Sequence, residues 1–464
     1  MNAPHQFSLE PSPEDFAFWF QHAEMLSQSF IRDVQTTKPA YRPFKELTPP
    51  CNLLTTQGLG FHSALTETFE RLTQEGIDTA SGRYFGYIPG GGIPVAAFGD
   101  FVAALTNRYA GMFHAAPGAV QIENEVLRSF LDLFKFPATA WGTLTSGGSI
   151  ANLTAILAAR QTRPRREWDQ STLYLTEQSH NSVQRALKIA GLDPALSRLV
   201  PVDAQFRMAP EKLRALIQKD IAAGFRPWMI LAALGTTNTG SVDPIETLVK
   251  IKNEFNLWLH IDAAYGGFFR LTPECEALFR GTGDADSIVL DPHKSLFMPY
   301  GCGAVLVRNG EYLREAFAGE AVYLADIANA PEKSPADYSP ELTRHFRGLR
   351  IYLSLKTYGT QPFQAALEEK LKLTQWAYKK LQRLKQLEFA CAPELSLIVF
   401  RVKGEDSATQ ELLRKILDRG RVHMSSTRLN ERVYIRMCIL SFRSRLAEVQ
   451  ECVTEIQRAL SPST

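Results

Sequence analysis

The stretch Leu257-Trp258-Leu259-His260-Ile261-Asp262-Ala263-Ala264-Tyr265-Gly266-Gly267 decides the fold class. Its apolar opening is strand-length and reads as a buried β-strand that stops at an Asp and runs into small residues. The same phrase, a short apolar run followed by a polar turn and a helical pattern, recurs from about Trp141 onward. Strands are expected at 141–144, 173–175, 199–202, 229–234 and 257–261. Helices are expected between them at 149–159, 182–189, 210–223 and 244–255. Apolar runs at 287–290 and 303–307 bring the count to seven. Repeated βα units of this length predict an α/β fold: a mostly parallel seven-stranded sheet with helices on both faces.

The flanks read differently. Residues 14–30 carry Phe16, Phe20, Ala23, Leu26 and Phe30 at helical spacing. A segment this short and apolar needs another surface to pack against. After Gly359 a long amphipathic helix at 363–384 precedes strands at 397–402 and 433–437, each followed by a helix. The chain is therefore expected to divide into an N-terminal helical arm (1–88), a large domain (89–358) and a small α/β C-terminal domain (359–464).

Composition narrows the function classes. The 464 residues hold 51 Lys+Arg against 49 Asp+Glu, a net charge of +2, which provides no basic field for nucleic acid. Arg160, Arg163, Arg165 and Arg166 read as a solvated cluster at a helix end. No apolar run reaches membrane-spanning length and no secretory signal is visible. Cys51, Cys275, Cys302, Cys391, Cys438 and Cys452 are scattered, without zinc-ligand spacing. A cytoplasmic enzyme acting on a small molecule, with no metal, no nucleic-acid partner and no membrane, is the expectation.

Five polar clusters carry the chemistry, and each follows a predicted strand. Thr145-Ser146-Gly147-Gly148-Ser149-Ile150-Ala151-Asn152 follows a strand and opens a helix, so its backbone can approach an anion and offer free amides. Ser179-His180-Asn181-Ser182 places a His either to stack on a flat ring or to cap the next helix. Gly235-Thr236-Thr237-Asn238-Thr239 brings hydroxyls to the same edge. Asp262 needs a cationic partner. A protonated pyridine nitrogen is one, and a helix cap or a metal shared with His260 are the alternatives. Leu290-Asp291-Pro292-His293-Lys294-Ser295 follows the next strand, and Lys294 there reads as a Schiff-base nucleophile or as a surface lysine after a turn. Ligands bind outside the carboxyl ends of strands in open α/β sheets.

Taken together, these segments resemble the group II pyridoxal-phosphate-dependent amino-acid decarboxylases. The likeness runs through Tyr84-Phe85-Gly86-Tyr87-Ile88-Pro89, Gly147 to Arg160, His180, Leu234 to Val242, Trp258 to Gly267, Asp291-Pro292-His293-Lys294 and His345-Phe346-Arg347-Gly348-Leu349-Arg350. It implies the fold-type I architecture, pyridoxal 5'-phosphate as cofactor, and a homodimer whose active site lies at the interface, with the N-terminal arm on the partner. It further implies Lys294 as the cofactor-bonding lysine and Asp262 as partner of the pyridine nitrogen. His180 would stack on the ring, and Gly148 and Ser149 would hold the phosphate. Thr237, Ala264 and His293 would touch the cofactor.

On the same resemblance, Tyr84, Phe85, Ile88 and Arg347 would face the substrate, and a lid tyrosine would return the proton, Tyr338 in preference to Tyr323. Asp291 stands where animal members have Asn, and Gly147-Gly148 where they have Ser-Ala. Arg436 sits where aminotransferases of this fold bind a carboxylate. The reaction implied is decarboxylation of an L-amino acid, aromatic in the leading reading. An aldehyde-forming, C–C lyase or transaminase reaction, or an acidic or diamino substrate, is the alternative.

Overall fold

The computed structural model describes residues 9–36, 40–43, 52–319 and 331–461. Ser12 caps α1 (Pro13–Val34) by accepting from the Asp15 amide, with Glu14 and Asp15 in the positive first turn. The helix runs one turn beyond the predicted end, to the buried Val34. A two-residue β1 (Tyr41–Arg42) precedes α2 (Phe61–Thr73) and pairs with β2 (Gly76–Ile77). Helices α1 and α2 meet through aromatic rings, with Trp19 stacked on Phe61 at 4.9 Å. Proline opens both α3 (Pro94–Thr106) and α4 (Pro117–Leu133), where its missing N–H has no helical partner to lose.

The βα text then becomes β3 (Trp141–Thr145), α5 (Gly148–Arg160), β4 (Ser171–Leu175), α6 (Asn181–Ile189), β5 (Ser197–Leu199), α7 (Pro210–Ala222), β6 (Arg226–Ala233), α8 (Ile245–Phe255), β7 (Trp258–Asp262), β8 (Ser287–Leu290) and β9 (Gly303–Val307). The seven strands lie in the order β3-β9-β8-β7-β6-β4-β5. Strand β9 runs antiparallel to β3 and β8, and the other pairs are parallel. The α/β class read from the sequence is the class observed. The central strands are nearly continuous in Val, Ile, Leu and Ala because helices cover both faces.

One strand differs from its prediction. The apolar Leu199-Val200-Pro201-Val202 suggests a strand at 199–202, whereas β5 occupies Ser197–Leu199. Pro201 has no N–H to give a ladder, and β5 is an edge strand paired only with β4.

Helices α9 (Glu311–Phe317), α10 (Gly348–Tyr358) and α11 (Gln361–Leu381) lead to β10 (Leu387–Phe389), β11 (Leu397–Val402), α12 (Asp406–Asp418), β12 (Ser425–Leu429), β13 (Arg432–Cys438) and α13 (Leu446–Leu460). The strands form an antiparallel four-stranded sheet, β10-β11-β13-β12. Strand β11 shows how it joins the rest. Ile398 and Phe400 pack in a core built with α11, α12 and α13, while Leu397 and Val399 face the other way into the large core.

A buried ion pair ties α4 to the carboxyl end of β3. Arg344 pairs with Glu123 of α4 and donates to the Leu144 carbonyl of β3 at 2.5 Å. Both side chains are withdrawn from water, so removing one strands the other. Arg344→Leu is expected to cost about 3–5 kcal/mol in urea unfolding. The Glu123→Leu/Arg344→Leu double variant should recover most of that loss.

Candidate active site

Strands β3, β4, β6, β7 and β8 end at one edge of the sheet, and β9 begins there, its Gly303 opposite Thr145. The turns at this edge enclose a cavity of about 270 Å³. Lys294, Asp262, His180, Gly148, Ser149, Thr237, Ala264 and His293 all line it. The structure thus brings together every residue to which the sequence assigns cofactor contact.

The cradle is built from glycine for a steric reason. Gly147 precedes α5 at φ 153°, and Gly148 and Ser149 stand in the first turn, where amides have no intrahelical acceptor. Beneath them passes the start of β9. A Cβ on Gly303 would lie 2.6 Å from Gly147 Cα and 2.7 Å from Thr145 Oγ1, so only glycine lets the two backbones meet.

Asp262, at the end of β7, accepts from Asn152 Nδ2 at 3.0 Å on one oxygen and from the Ala264 amide at 3.1 Å on the other. His180 caps α6. Its Nδ1 accepts from the Ser182 amide at 3.2 Å and lies 2.7 Å from Ser182 Oγ. Burial pushes its pKa below the ordinary value, with Asp262 only partly opposing, so the ring is neutral near pH 7.

Lys294 closes the turn after β8, its amide donating to the Asp291 carbonyl at 2.8 Å. Its Nζ lies 2.9 Å from Asp291 Oδ2. Burial alone would push the ammonium pKa down. Asp291 and then Asp262 outweigh it and hold it above the usual lysine value. Asp291 is buried, and its Oδ1 has no hydrogen-bond partner among the described residues. His293 places Nδ1 2.5 Å from the Cys302 carbonyl and Nε2 3.6 Å from Asp291, and burial lowers its pKa. The segment after Ile88 lies directly on this turn: a Cβ on Gly90 would meet the His293 carbonyl at 2.3 Å.

Tyr84, Phe85, Ile88 and Arg347, expected to face the substrate, do not line this cavity. Phe85 is fully buried in the core of the small sheet, its amide donating to the His423 carbonyl and its carbonyl accepting from Cys438. Tyr84 is buried against His423, and Ile88 in the large core. Arg347 is committed to Glu341 through two hydrogen bonds of 2.7 and 2.9 Å. Tyr338 does not line the cavity either. It is buried edge-on against Trp141, which opens β3 about 13 Å along the strand from the cradle. Tyr323 lies outside the described residues. Arg436 does not present a free guanidinium, because it donates to Ser425 Oγ and to the carbonyls of Tyr87, Thr237 and Asn238.

Asn152 and Ser182 enter the sequence reading only as members of their clusters and Gly303 only as a strand residue, none with a role of its own. The available signal for Asn152 was an Asn, a poor helix former, on a helix otherwise rich in Ala and Leu. Among the described residues, no cluster of three or more His, Cys, Asp or Glu is placed to hold a metal. His260, considered with Asp262 as a ligand pair, instead gives its Nε2 to Asn152 at 2.9 Å. No described helix is long and apolar enough to cross a membrane.

Residues 61–403 match the family model of the pyridoxal-dependent decarboxylase conserved domain. The chain belongs to that family. An aromatic-L-amino-acid decarboxylase of Bacillus atrophaeus is 32% identical over 384 residues, covering 81% of this chain and 80% of its relative. Among solved structures, Oryza sativa TDC with PLP and tryptamine superposes with a TM-score of 0.90 at 23% identity, covering 97% of this chain and 99% of that one. Catharanthus roseus tryptophan decarboxylase in complex with L-tryptophan gives 0.87 at 23%, with the same coverage. At these identities the two structures speak for the fold.

This decarboxylase is a pyridoxal-phosphate-dependent carboxy-lyase, and its cavity fits that cofactor. Helix-start amides suit a phosphate, a carboxylate suits a protonated ring nitrogen, and an amine suits a carbonyl.

Gly303→Ala should push the Gly147 backbone outward and weaken pyridoxal phosphate binding at least about tenfold, read by equilibrium titration of the absorbance. In cofactor-free protein, amine-selective labelling of Lys294 should show its inflection above pH 10.5. A carboxylate partner favours the ammonium, so Asp291→Asn should move that inflection to lower pH.

Proposed function

We propose that this decarboxylase acts on an L-amino acid with an aromatic side chain and works as a homodimer. The observation that carries the reading is the convergence of Lys294 Nζ, the Asp262 carboxylate and the first-turn amides of α5 on one cavity at the carboxyl edge of the sheet. When bound, pyridoxal phosphate supplies a carbonyl that bonds an amine and a ring that accepts the electron pair released with carbon dioxide.

The chain's own groups divide the rest of the work. The Lys294 amine would bond the cofactor and give way to the substrate amine. The Asp262 carboxylate would face the ring nitrogen and keep a proton on it, so the ring can draw electrons. The neutral imidazole of His180 would cover the ring and exclude water from it. Gly148 and Ser149 would bind the phosphate by their amides, with Thr237, Ala264 and His293 completing the walls. Arg436 would act at one remove, holding the loop that carries Thr237 against β13.

Two features support the aromatic substrate. One is the likeness to aromatic-L-amino-acid decarboxylases. The other is Tyr300, an exposed ring 5.7 Å from that of His293. The dimer is supported by an apolar face. Phe98, Phe101, Val102 and Leu105 of α3 are exposed, and Phe20 of α1 lies 5.8 Å from Phe101. The groove between α1 and α3 reaches His293 and Tyr300, so a second copy seated there would close the mouth of the cavity.

Borohydride reduction of the loaded protein should bleach its visible absorbance and leave the cofactor mass on a Lys294 peptide. Lys294→Ala should lose at least about four orders of magnitude in kcat. A panel of L-amino acids, read for carbon dioxide and for amine, should give the highest kcat/KM with an aromatic member. Preference for an acidic or diamino acid would overturn the substrate reading. Sedimentation should find two chains per particle, and Phe98→Asp should shift the protein toward one.

A further inference from the structure

The polar contacts behind Asp262 form one continuous chain. Trp258 Nε1 donates to Ser287 Oγ at 2.9 Å, and Ser287 Oγ lies 2.8 Å from His260 Nδ1. His260 Nε2 lies 2.9 Å from Asn152 Oδ1. The Asn152 amide nitrogen reaches Asp262 Oδ2 at 3.0 Å and Ser182 Oγ at 3.0 Å, and Ser182 Oγ reaches His180 Nδ1. Asn152, His260 and Ser287 are each at most 1% exposed, so water does not compete for these bonds.

The two ends fix the direction of the whole chain. An indole N–H only donates and a carboxylate only accepts. Asp262 therefore requires the NH₂ side of Asn152, which turns Asn152 Oδ1 toward His260 and requires a proton on His260 Nε2. Burial lowers the His260 pKa to about 4, so its Nδ1 carries a lone pair at neutral pH and accepts from the Ser287 hydroxyl. That hydroxyl in turn accepts from Trp258. On the other branch, His180 Nδ1 accepts from the Ser182 amide and so takes the Ser182 hydroxyl proton as well, while the second Asn152 N–H goes to a lone pair of Ser182 Oγ. The proton of neutral His180 is left on Nε2.

We propose that Asn152 is a positioning residue for the decarboxylation, one amide that holds Asp262 as a hydrogen-bond acceptor and links it through Ser182 to His180, with His260 fixing which way that amide stands. The inference rests on the reading of Asp262 as partner of the cofactor's ring nitrogen. If Asn152 were reversed, its carbonyl oxygen would face the Asp262 carboxylate. The carboxylate would then lose a donor, and its hold on a cation would change.

The test compares wild type with Asn152→Leu, Asn152→Asp, His260→Leu and His260→Gln. Each is measured for its pyridoxal phosphate dissociation constant, for the pH dependence of the visible absorbance of the loaded protein, and for the Tm of the cofactor-free protein. Asn152→Leu and Asn152→Asp should bind the cofactor roughly tenfold or more weakly and shift the absorbance titration. His260→Leu should follow in the same direction. His260→Gln, whose amide N–H can stand in for Nε2, should return close to wild type. Lower Tm with unchanged affinity and absorbance titration would mean a merely structural role and would overturn the proposal. So would wild-type affinity and absorbance in both leucine variants. If the Asn152 variants fail to fold, the His260 pair decides by the same criterion. A wild-type protein that takes up no pyridoxal phosphate sinks the underlying reading. A wild type that loads while its variants match it sinks only this inference.

Discussion

Removing charge from water governs the carboxyl edge of the large sheet. Asp262, Asp291 and Lys294 stand within one cavity wall, and none can be left without a partner at that depth. Lys294 is answered by Asp291, and Asp262 by an amide from α5 and another from its own turn. Those requirements fix the neighbours. Helix α5 must start where it does, α6 must present Ser182, and the turn after β8 must bring its lysine back over its own aspartate. The apolar strands provide a stiff frame for this arrangement, but the charges decide where the turns go.

The small sheet bears on the cavity through few contacts. One face of β11 belongs to its own core and the other to the large one, so the two units share a wall. Arg436 reaches across from β13 to the loop of Thr237, and Tyr84-Phe85 crosses as an added stretch of backbone beside His423 and Cys438. Tyr84 and Phe85, two of the side chains expected as substrate contacts, lie at this join between the units.

Much of this was legible in the sequence. Period and length disclosed the strands, and a polar residue at each strand end disclosed the edge at which Lys294, Asp262 and His180 meet. Local text could not disclose commitments made at long range. Arg347 looks available until Glu341 is seen to hold it, and nothing near Tyr338 in the sequence announces its packing on Trp141. Gly303 looks like an ordinary strand residue until Gly147 is found pressed against it. Strand β12 reads Ser-Ser-Thr-Arg-Leu, with too little apolar text to stand out, and exists because β13 pairs with it.

Helix α5 carries the phosphate cradle at its first residues and Asn152 one turn later. The helical rise separates these two stations by about 6 Å. One rigid rod therefore sets the span between the free first-turn amides and the amide that holds Asp262. Evolution can scarcely alter one without disturbing the other. The Gly90–Gly92 segment and Tyr300, which approach His293 from outside α5, do not share this yardstick, so a change in either leaves that span unaltered.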